Sequence, residues 1–439
     1  MRNTVLIVLL FCICSCKKFL HVDSPAGQLG GAELFASDIT ATSAMLAVYT
    51  QLEYESTAFH IASVTGQTSD ELLNHRTSAD WIAVQANSLT ADNSTISRIW
   101  NRLYKSIYQC NAVLSGIESS GALSPATRSI LRGEALFTRA WCHFYLASLF
   151  SHIPYVTSTD PFINTSLSQI AETDAYTHMV TDLEEARNLL KEEYLTAQHI
   201  PGGERIRPNR YAAEALLSRI YLYQRNWPAA ATAATKVISR TNQYSLVNDL
   251  SKVFLKNSTE AIWQWQPTIV GFNTYDGGML NSSLNTPSYI SLTPKLYQDF
   301  QLDDARRQQW IRQTTVAGQT YYWPFKYRVG QGASSITEYS IILRLSEQYL
   351  IRAEARARGG DLPGSEEDLY MIRSRAGLPR VTLTDLPTAL ELIARERRLE
   401  LFTETGDRWL DLRRTGKVND VLAPIKGANW AATDTLYPI

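Results

Sequence analysis

The sequence predicts a mostly α-helical fold, in which pairs of helices support an irregular region of loops and short strands. Apolar residues recur every three to four positions through most of the chain, which is the pattern of amphipathic helices. No segment alternates strands and helices in the manner of a parallel sheet. The stretch 245–335 instead combines glycine, asparagine and proline with many aromatic residues, a composition typical of loops with exposed rings.

The N-terminus has the pattern of a lipoprotein export signal. Arg2 precedes an uncharged apolar run, Val5–Ile13, which is far shorter than the roughly 20 residues of a transmembrane helix. The run ends in an aliphatic residue, two small residues and Cys16, the pattern that bacterial lipoprotein signal peptidase recognises. We therefore expect lipidation of Cys16, which would anchor the chain to a membrane by lipid alone. The alternative is an ordinary signal peptide cut nearby, with Cys16 as a bystander.

This interpretation divides the chain into three parts. Residues 1–15 are the predicted signal peptide, and residues 16–36, which contain one proline and several glycines, are a predicted lipidated tether. Residues 37–439 are predicted to form a single domain, in which the stretch 245–335 is the loop-rich part.

Helical patterns are spaced along the chain from residue 38 onward. Asp38 is expected to cap the first of them. Residues 56–95 are polar and are expected to be irregular. The predicted helices lie at 38–54, 96–119, 125–150, 173–192, 209–224, 228–240, 338–358, 364–376 and 386–404.

Two of these segments resemble each other. Leu216–Pro228 and Ile351–Pro363 each contain an apolar helix, a short polar turn, and a bulky residue with proline that opens a second helix. Helix-turn-helix units of this length are those of tetratricopeptide repeats. Because each unit leaves an apolar face exposed until a neighbour stacks on it, the sequence predicts stacked tetratricopeptide-like helix pairs of the α-α superhelix type.

Composition excludes several classes of protein. Hydrophobic residues make up 45% of the chain and charged residues 19%, which supports a sizeable core and argues against global disorder. The formal net charge of −1 leaves no basic excess to neutralise phosphates, so no nucleic-acid partner is expected. Cys110 and Cys142 lie in apolar helical patterns. They could form a disulfide in an oxidising compartment, but two buried thiols are the expected outcome.

Motifs for catalysis or metal binding are missing from the sequence. There is no histidine-glutamate metal motif, no phosphate-binding glycine loop and no nucleophile elbow. We therefore expect no catalytic residue, no metal and no cofactor. Glu396, Glu400 and Glu404 share one helix face at four-residue spacing, where like charges repel. With Arg397, Arg408 and Asp411 close in sequence, they are interpreted as a structural ion-pair network.

Short motifs follow one another in a fixed order along the chain. They are Cys16-Lys17-Lys18-Phe19-Leu20, Trp100-Asn101-Arg102-Leu103-Tyr104, Glu347-Gln348-Tyr349-Leu350-Ile351-Arg352-Ala353-Glu354-Ala355, Arg375-Ala376-Gly377-Leu378, Glu396-Arg397-Arg398-Leu399-Glu400-Leu401 and Arg408-Trp409-Leu410-Asp411-Leu412-Arg413-Arg414. In order and spacing these motifs resemble the SusD/RagB family of outer-membrane lipoproteins over essentially the whole chain. The sequence departs from the family pattern at His21, where aspartate is usual, and at Thr405, where glutamate is usual.

The resemblance implies a tetratricopeptide-like fold with a ligand-binding loop region and no catalysis. It implies a lipoprotein at the cell surface of Bacteroidota, held in the outer membrane and facing the exterior. Such proteins bind a nutrient, usually a glycan or oligosaccharide, and pass it to a SusC-like TonB-dependent β-barrel transporter. The alternatives are the same fold with a peptide or other nutrient as ligand, a secreted hydrolase, and a tetratricopeptide scaffold that binds proteins.

The resemblance also implies two ligand-binding stretches, 66–90 and 270–327. Aromatic rings pack on the apolar faces of pyranoses, while amides and carboxylates bond the sugar hydroxyls. Because Tyr321-Tyr322-Trp323 ends at Pro324, we expect a strand end or turn there, with a ring facing water. Trp263 and Trp265 are left out, since they alternate with Gln264 in a strand-like run that should have a buried face. The predicted stacking residues are Trp81, Tyr275, Tyr289 and Trp323, and the predicted polar partners are Asp70, Asn273 and Asn281.

Overall fold

Helices dominate the computed structural model, which describes residues 31–280, 289–332 and 334–438. The predicted mostly α-helical fold is confirmed. The helices are α1 (Gly31–Leu34), α2 (Asp38–Tyr54), α3 (Thr57–Thr68), α4 (Ala79–Ala86), α5 (Ser94–Ser119), α6 (Pro125–Phe150), α7 (Pro161–Thr165), α8 (Glu172–Leu189), α9 (Arg210–Tyr223), α10 (Trp227–Ile238), α11 (Tyr275–Leu280), α12 (Pro294–Asp299), α13 (Ala305–Gln309), α14 (Leu345–Arg358), α15 (Leu362–Arg375), α16 (Leu386–Leu401), α17 (Asp407–Arg414) and α18 (Val418–Lys426). The strands are β1 (Leu72–Asn74), β2 (Ala261–Trp265), β3 (Ile290–Leu292), β4 (Ile311–Val316), β5 (Gln319–Pro324) and β6 (Ser340–Arg344).

Side-chain caps fix where the long helices begin. The Asn93 carboxamide oxygen accepts from Thr95 N at the start of α5, and α6 opens with Pro125, whose missing N–H costs no helical bond there. The cap of α2 is Ser37, not Asp38 as predicted. Asp38 lies one residue inside the helix, and its carboxylate accepts from Ser124 N at 2.9 Å.

The core surrounds α6, which packs against α5 and α8. The part of α6 from Gly133 to Phe150 is buried on every side, so no face of it is exposed to solvent. Its Trp141 ring lies 5.2 Å from the Trp265 ring of β2. Cys110 and Cys142 are buried free thiols, as expected.

The two similar sequence segments form stacked helix pairs, as predicted. α9 and α10 make one pair, α14 and α15 make the other, and α10 packs on α14. Asn226 and Asp361 occupy equivalent turns, and each side chain accepts a backbone hydrogen bond at the start of the second helix of its pair. Apolar side chains fill the contact between the pairs: Leu222, Ala230, Ala234, Ile351 and Ala355.

The prediction that 56–95 is irregular is wrong. This stretch contains α3, β1 and α4. Every residue of α3 is buried, so the helix shows no amphipathic periodicity that sequence analysis could detect.

In the described part of the chain, six short strands make two antiparallel sheets. A four-stranded sheet has the order β1-β3-β5-β4, with Leu72 opposite Leu292 and a β4–β5 hairpin whose turn residues, Ala317 and Gly318, both have positive φ. β2 pairs with β6. The start of the predicted helix 338–358 is therefore a strand, and the helix begins only at Leu345.

Both faces of β2 are buried, which removes Trp263 and Trp265 from the surface. Gln264 points into the same interior, where its carboxamide oxygen accepts from Asn257 N at 2.8 Å. Within the described residues no helix is both long enough and apolar enough to cross a bilayer. The predicted signal peptide and Cys16 lie outside these residues.

Candidate functional site

The two stretches predicted to bind ligand meet on one face of the molecule. They meet because β1, from the first stretch, pairs with β3, from the second. The backbone continues this pairing one step beyond the strands, where His75 N donates to Tyr289 O at 2.8 Å. The structure therefore places the β1–α4 loop beside Tyr289, directly before β3.

Two of the predicted stacking residues lie against an arginine on this face, and a third, Tyr275, is close enough to affect the pKa of that arginine. The guanidinium carbon of Arg76 lies 3.9 Å from the centroid of the Trp81 ring and 5.2 Å from that of the Tyr289 ring. Both distances fit cation–π contacts. Tyr289 is 54% exposed, and Trp81 and Tyr275 are partly exposed. We call Arg76, Trp81, Tyr275 and Tyr289 the aromatic-arginine face.

The loop that presents Arg76 is held by a side chain. The Asn74 carboxamide accepts from Arg76 N at 3.0 Å and donates to Arg76 O at 2.9 Å. Asn74 N in turn donates to the Gln85 carboxamide oxygen at 2.7 Å. Asparagine commonly bonds the backbone two residues onward in this way, so the Arg76 backbone is fixed before any ligand arrives.

Trp81 rests edge-on against a buried histidine. The His60 ring centroid lies 5.6 Å from that of Trp81, and His60 Nε2 donates to Thr95 O at 3.0 Å. Burial, with a smaller contribution from nearby arginines, lowers the pKa of His60 to about 3. The ring beneath Trp81 is therefore uncharged at neutral pH.

Tyr275 is placed by a short helix that needs a glycine. The Tyr275 ring packs 5.1 Å from Phe59 and stacks 5.8 Å from Phe272, measured between centroids. A Cβ at Gly278 would lie 2.1 Å from a ring carbon of Phe272. Glycine at this position therefore lets Phe272 lie against α11 and support Tyr275.

Asp70 is not available as a ligand contact, so this prediction is wrong. It is only 5% exposed. Its two carboxylate oxygens accept from Arg408 at 2.8 and 3.0 Å, and Arg398 lies 2.9 Å away. Burial raises the pKa of Asp70, but the opposite effect of the two arginines is larger, so the pKa is lowered overall. Asp70 therefore joins β1 to the C-terminal helices.

Asn273 and Trp323 are also structural, which corrects two further predictions. The Asn273 carboxamide oxygen accepts from Thr337 N at 2.6 Å and from Glu338 N at 2.9 Å, so it closes a loop. β5 does end at Pro324 as predicted, but Trp323 is only 2% exposed and lies under the stacked Tyr321 ring. Asn281 lies outside the described residues.

Arg408→Ala should lower stability by about 2 kcal/mol and leave ligand binding intact, because the variant removes one of two cations from a buried carboxylate. Thermal denaturation and a binding titration measure the two effects separately. Arg380→Ala, which breaks an exposed ion pair, is the matched control and should change little. Unchanged stability with lost binding would place the Asp70 pair in the ligand site.

The C-terminal carboxylates form a buried ion-pair network, as predicted. Glu404 lies beyond the end of α16 but joins the network through Arg344. Arg408, which was also predicted to belong to the network, pairs with Asp70. Glu400 is surrounded by Arg306, Arg344 and Arg375. The other pairs are Glu396 with Arg306 and Arg373, Arg397 with Glu347, Asp407 and Asp411, and Arg414 with Asp411 and Glu354.

A second concave region is chemically different from the aromatic-arginine face. This cleft of about 490 Å³ is lined in part by Tyr176, Tyr223 and Arg413. Its Arg413 already pairs with Glu172 at 2.7 Å. Arg414 in the same lining pairs with Glu354 and Asp411, whereas Arg225 makes no ion pair among the described residues. The cleft therefore combines paired charges with one exposed arginine.

Arg76 was not among the predicted site residues. A signal was present, because Arg76 is the one lysine or arginine in the stretch 66–90 and lies five residues before Trp81.

Within the described ranges, no group of three His, Cys, Asp or Glu side chains could hold a metal ion.

Comparison with known proteins gives matches along most of the chain. Residues 18–222 match a SusD-like family model described as starch-binding associating with outer membrane, and residues 307–434 match the SusD family model. SusD-like protein P2 of Formosa agariphila is 24% identical over 95% of this chain and 91% of that protein. A SusD-like protein of Bacteroides ovatus is 22% identical over 94% of this chain and 82% of that protein. The match to SusD-like protein P25 of Formosa agariphila, at 25% identity, covers 59% of this chain and spans half of that relative.

Solved structures share the fold. A SusD superfamily protein from Bacteroides vulgatus superposes with a TM-score of 0.77 at 21% identity, covering 90% of this chain and 91% of that one. A laminarin-binding SusD-like protein gives 0.72 at 21% identity, with 90% and 95% covered. Surface glycan-binding protein A from Bacteroides uniformis gives 0.75 at 18% identity, with 92% and 96% covered. With both family models matched in order and this fold throughout, the chain belongs to the SusD/RagB family.

Proposed function

We propose that this protein is a cell-surface lipoprotein that binds a glycan on the aromatic-arginine face and delivers it to a SusC-like TonB-dependent transporter. It acts by binding and not by catalysis. The observation that supports this proposal most strongly is the pair of rings, exposed Tyr289 and partly exposed Trp81, that both lie close to Arg76. Rings of this kind pack against the apolar faces of sugars.

Family relationships support the choice of a glycan. Relatives of similar fold include a laminarin-binding protein and a surface glycan-binding protein, and one matched family model is described as starch-binding. The same fold with a peptide ligand is the alternative, so a ligand panel should contain oligosaccharides and oligopeptides.

Delivery to a transporter predicts that a SusC-like barrel copurifies with this protein from detergent-solubilised outer membranes. Absence of the barrel from the purified material would count against delivery to a transporter.

Trp81→Ala and Tyr289→Ala should each weaken glycan binding about tenfold, since a ring contact contributes on the order of 1 kcal/mol beyond area burial. Calorimetry with an oligosaccharide selected from the panel measures the effect. Tyr289 is exposed on the surface, so its removal should leave the melting temperature unchanged.

The matched control for Tyr289 is Tyr108→Ala. Tyr108 is 53% exposed and lies about 20 Å along α5 from Ser94, which contacts Asp80 beside Trp81. Its removal should not alter binding. If Trp81→Ala and Tyr289→Ala bind like the wild type, the aromatic-arginine face is not the glycan site.

Cys16→Ala should leave the protein as an unlipidated precursor or a secreted form, because the lipid is attached through this cysteine. Metabolic labelling with a fatty-acid analogue and membrane fractionation test this. Cys14→Ala, which keeps a small residue two positions earlier, is the control and should still be labelled. Label on the Cys16→Ala protein would rule out this lipidation site.

A further inference from the structure

We propose that the ligand is an acidic glycan whose carboxylate or sulfate group is bound by the guanidinium of Arg76. This inference rests on the proposed glycan-binding function and names the class of glycan. It comes from the charge balance around the aromatic-arginine face.

Arg76 is a partly buried cation without an anionic partner. Among the described residues it forms no ion pair, and its Nη1 is buried without a hydrogen-bond partner. Burial lowers the pKa of Arg76 to about 10, and this guanidinium remains charged at neutral pH. Such a group is costly to leave unpaired, so an incoming anion would gain a donor that is already in place.

Further cations lie around the same face. Arg98, Arg102 and Arg76 all lie close enough to His60 to lower its pKa. Arg98 is exposed and makes no ion pair within the described part of the chain. Arg102 lies 3.8 Å from Glu55, but its Nη1 has no hydrogen-bond partner.

Nearby carboxyl groups do not neutralise these cations. Glu55 is shared between Arg102 and Lys105, at 3.8 and 2.8 Å. Behind Tyr275, burial raises the pKa of Glu53 to about 8 and that of Asp276 to about 7. Glu53 is therefore largely uncharged at neutral pH, and Asp276 is partly so. Asp80, beside Trp81, contacts Ser94 and makes no ion pair with Arg76 among the described residues. Arg76 is therefore left without a carboxylate partner.

The geometry suits a charged sugar better than a neutral one. A guanidinium presents parallel N–H donors that match the two oxygens of a carboxylate or sulfate group. The Arg76 guanidinium lies over the Trp81 ring and 5.2 Å from the Tyr289 ring. A pyranose that packs on the exposed Tyr289 ring would therefore lie near the guanidinium, within reach of an acidic substituent. A neutral sugar would offer only hydroxyls and would leave the positive charge uncompensated.

The test compares acidic oligosaccharides with neutral ones of the same backbone. The probes are oligogalacturonate beside its carboxyl-reduced form, and sulfated galactan oligosaccharides beside their desulfated form, within a wider panel of neutral glycans. Binding to the full-length chain is measured at low and at moderate salt. We expect at least a tenfold preference for a charged member of a pair, and weaker binding at higher salt. The pair that shows the preference identifies carboxylate or sulfate as the anion.

Variants assign the preference to Arg76. Arg76→Gln should remove it, whereas Arg76→Lys, which keeps the charge but not the fork of donors, should retain part of it. Arg225→Gln is the control for the second cleft, because Arg225 lines that cleft, is exposed and has no ion pair among the described residues. It should bind like the wild type. Thermal melts confirm that each variant is folded.

Two outcomes separate this inference from the proposed function. Binding of neutral glycans with no preference for the charged member of any pair would overturn the acidic ligand and leave glycan binding intact. A panel in which no glycan binds, acidic or neutral, would overturn both. A preference for charged probes that survives Arg76→Gln would also contradict the assignment.

Discussion

Glu400→Gln is expected to be strongly destabilising, with a loss of about 3–5 kcal/mol in the free energy of unfolding. Glu400 is buried and accepts hydrogen bonds at 3.0 Å from Arg306 and 2.6 Å from Arg344, with Arg375 in direct contact. Burial favours the neutral acid, but these arginines hold the pKa of Glu400 well below its usual range. Glutamine would leave three buried guanidinium groups with one carboxylate fewer.

Urea denaturation of the purified chain measures this loss, provided that the variant can be isolated folded. Glu367→Gln is the control, because Glu367 pairs with Arg380 in full contact with water and should matter little. A Glu400→Gln protein as stable as the wild type would show that the network contributes nothing to the fold. These charged residues would then become candidates for ligand binding.

Glu53→Gln should stabilise the protein, and by an amount that grows with pH. Burial, and then the charge of Asp276, raise the pKa of Glu53 from an ordinary 4.5 to about 8. The folded state thus holds its proton more tightly than the unfolded state does, so stability falls as pH rises between these two values. Glutamine keeps the shape of the protonated acid and has no proton to lose. Between pH 5 and pH 8 the variant should gain about 3 kcal/mol relative to the wild type.

Denaturation curves of both proteins across this pH range provide the measurement. Glu118→Gln, at an exposed position of α5, is the control and should follow the wild type at every pH. A constant offset between wild type and Glu53→Gln from pH 5 to pH 8 would mean that Glu53 does not titrate in this window.

Most of the fold could be predicted from the sequence because its helices are amphipathic. The pattern of α5 located that helix to within two residues, and the Leu216–Pro228 and Ile351–Pro363 similarity located the stacked pairs. α3 could not be found in this way, since a helix buried on every side has no polar face. β6 was assigned to a helix for a related reason: all five of its residues are buried and show no alternation.

The location of the candidate site was more predictable than its residues. Family position identified both stretches, and Trp81, Tyr275 and Tyr289 do lie together and partly exposed. The prediction that Asp70 contacts the ligand was wrong because its ion-pair partner, Arg408, is 338 positions away in the chain. A polar residue near a predicted site has no visible partner in the sequence, so a structural ion pair and a ligand contact look the same.

A crystal structure of the chain with a bound oligosaccharide would show whether glycans bind at the aromatic-arginine face. We expect a sugar ring within about 4 Å of the Trp81 or Tyr289 ring, the distance of van der Waals contact. We also expect a ligand oxygen within hydrogen-bonding distance of the Arg76 guanidinium. An oligosaccharide bound instead in the cleft beside Tyr176, Tyr223 and Arg413, with the aromatic-arginine face empty, would contradict this assignment.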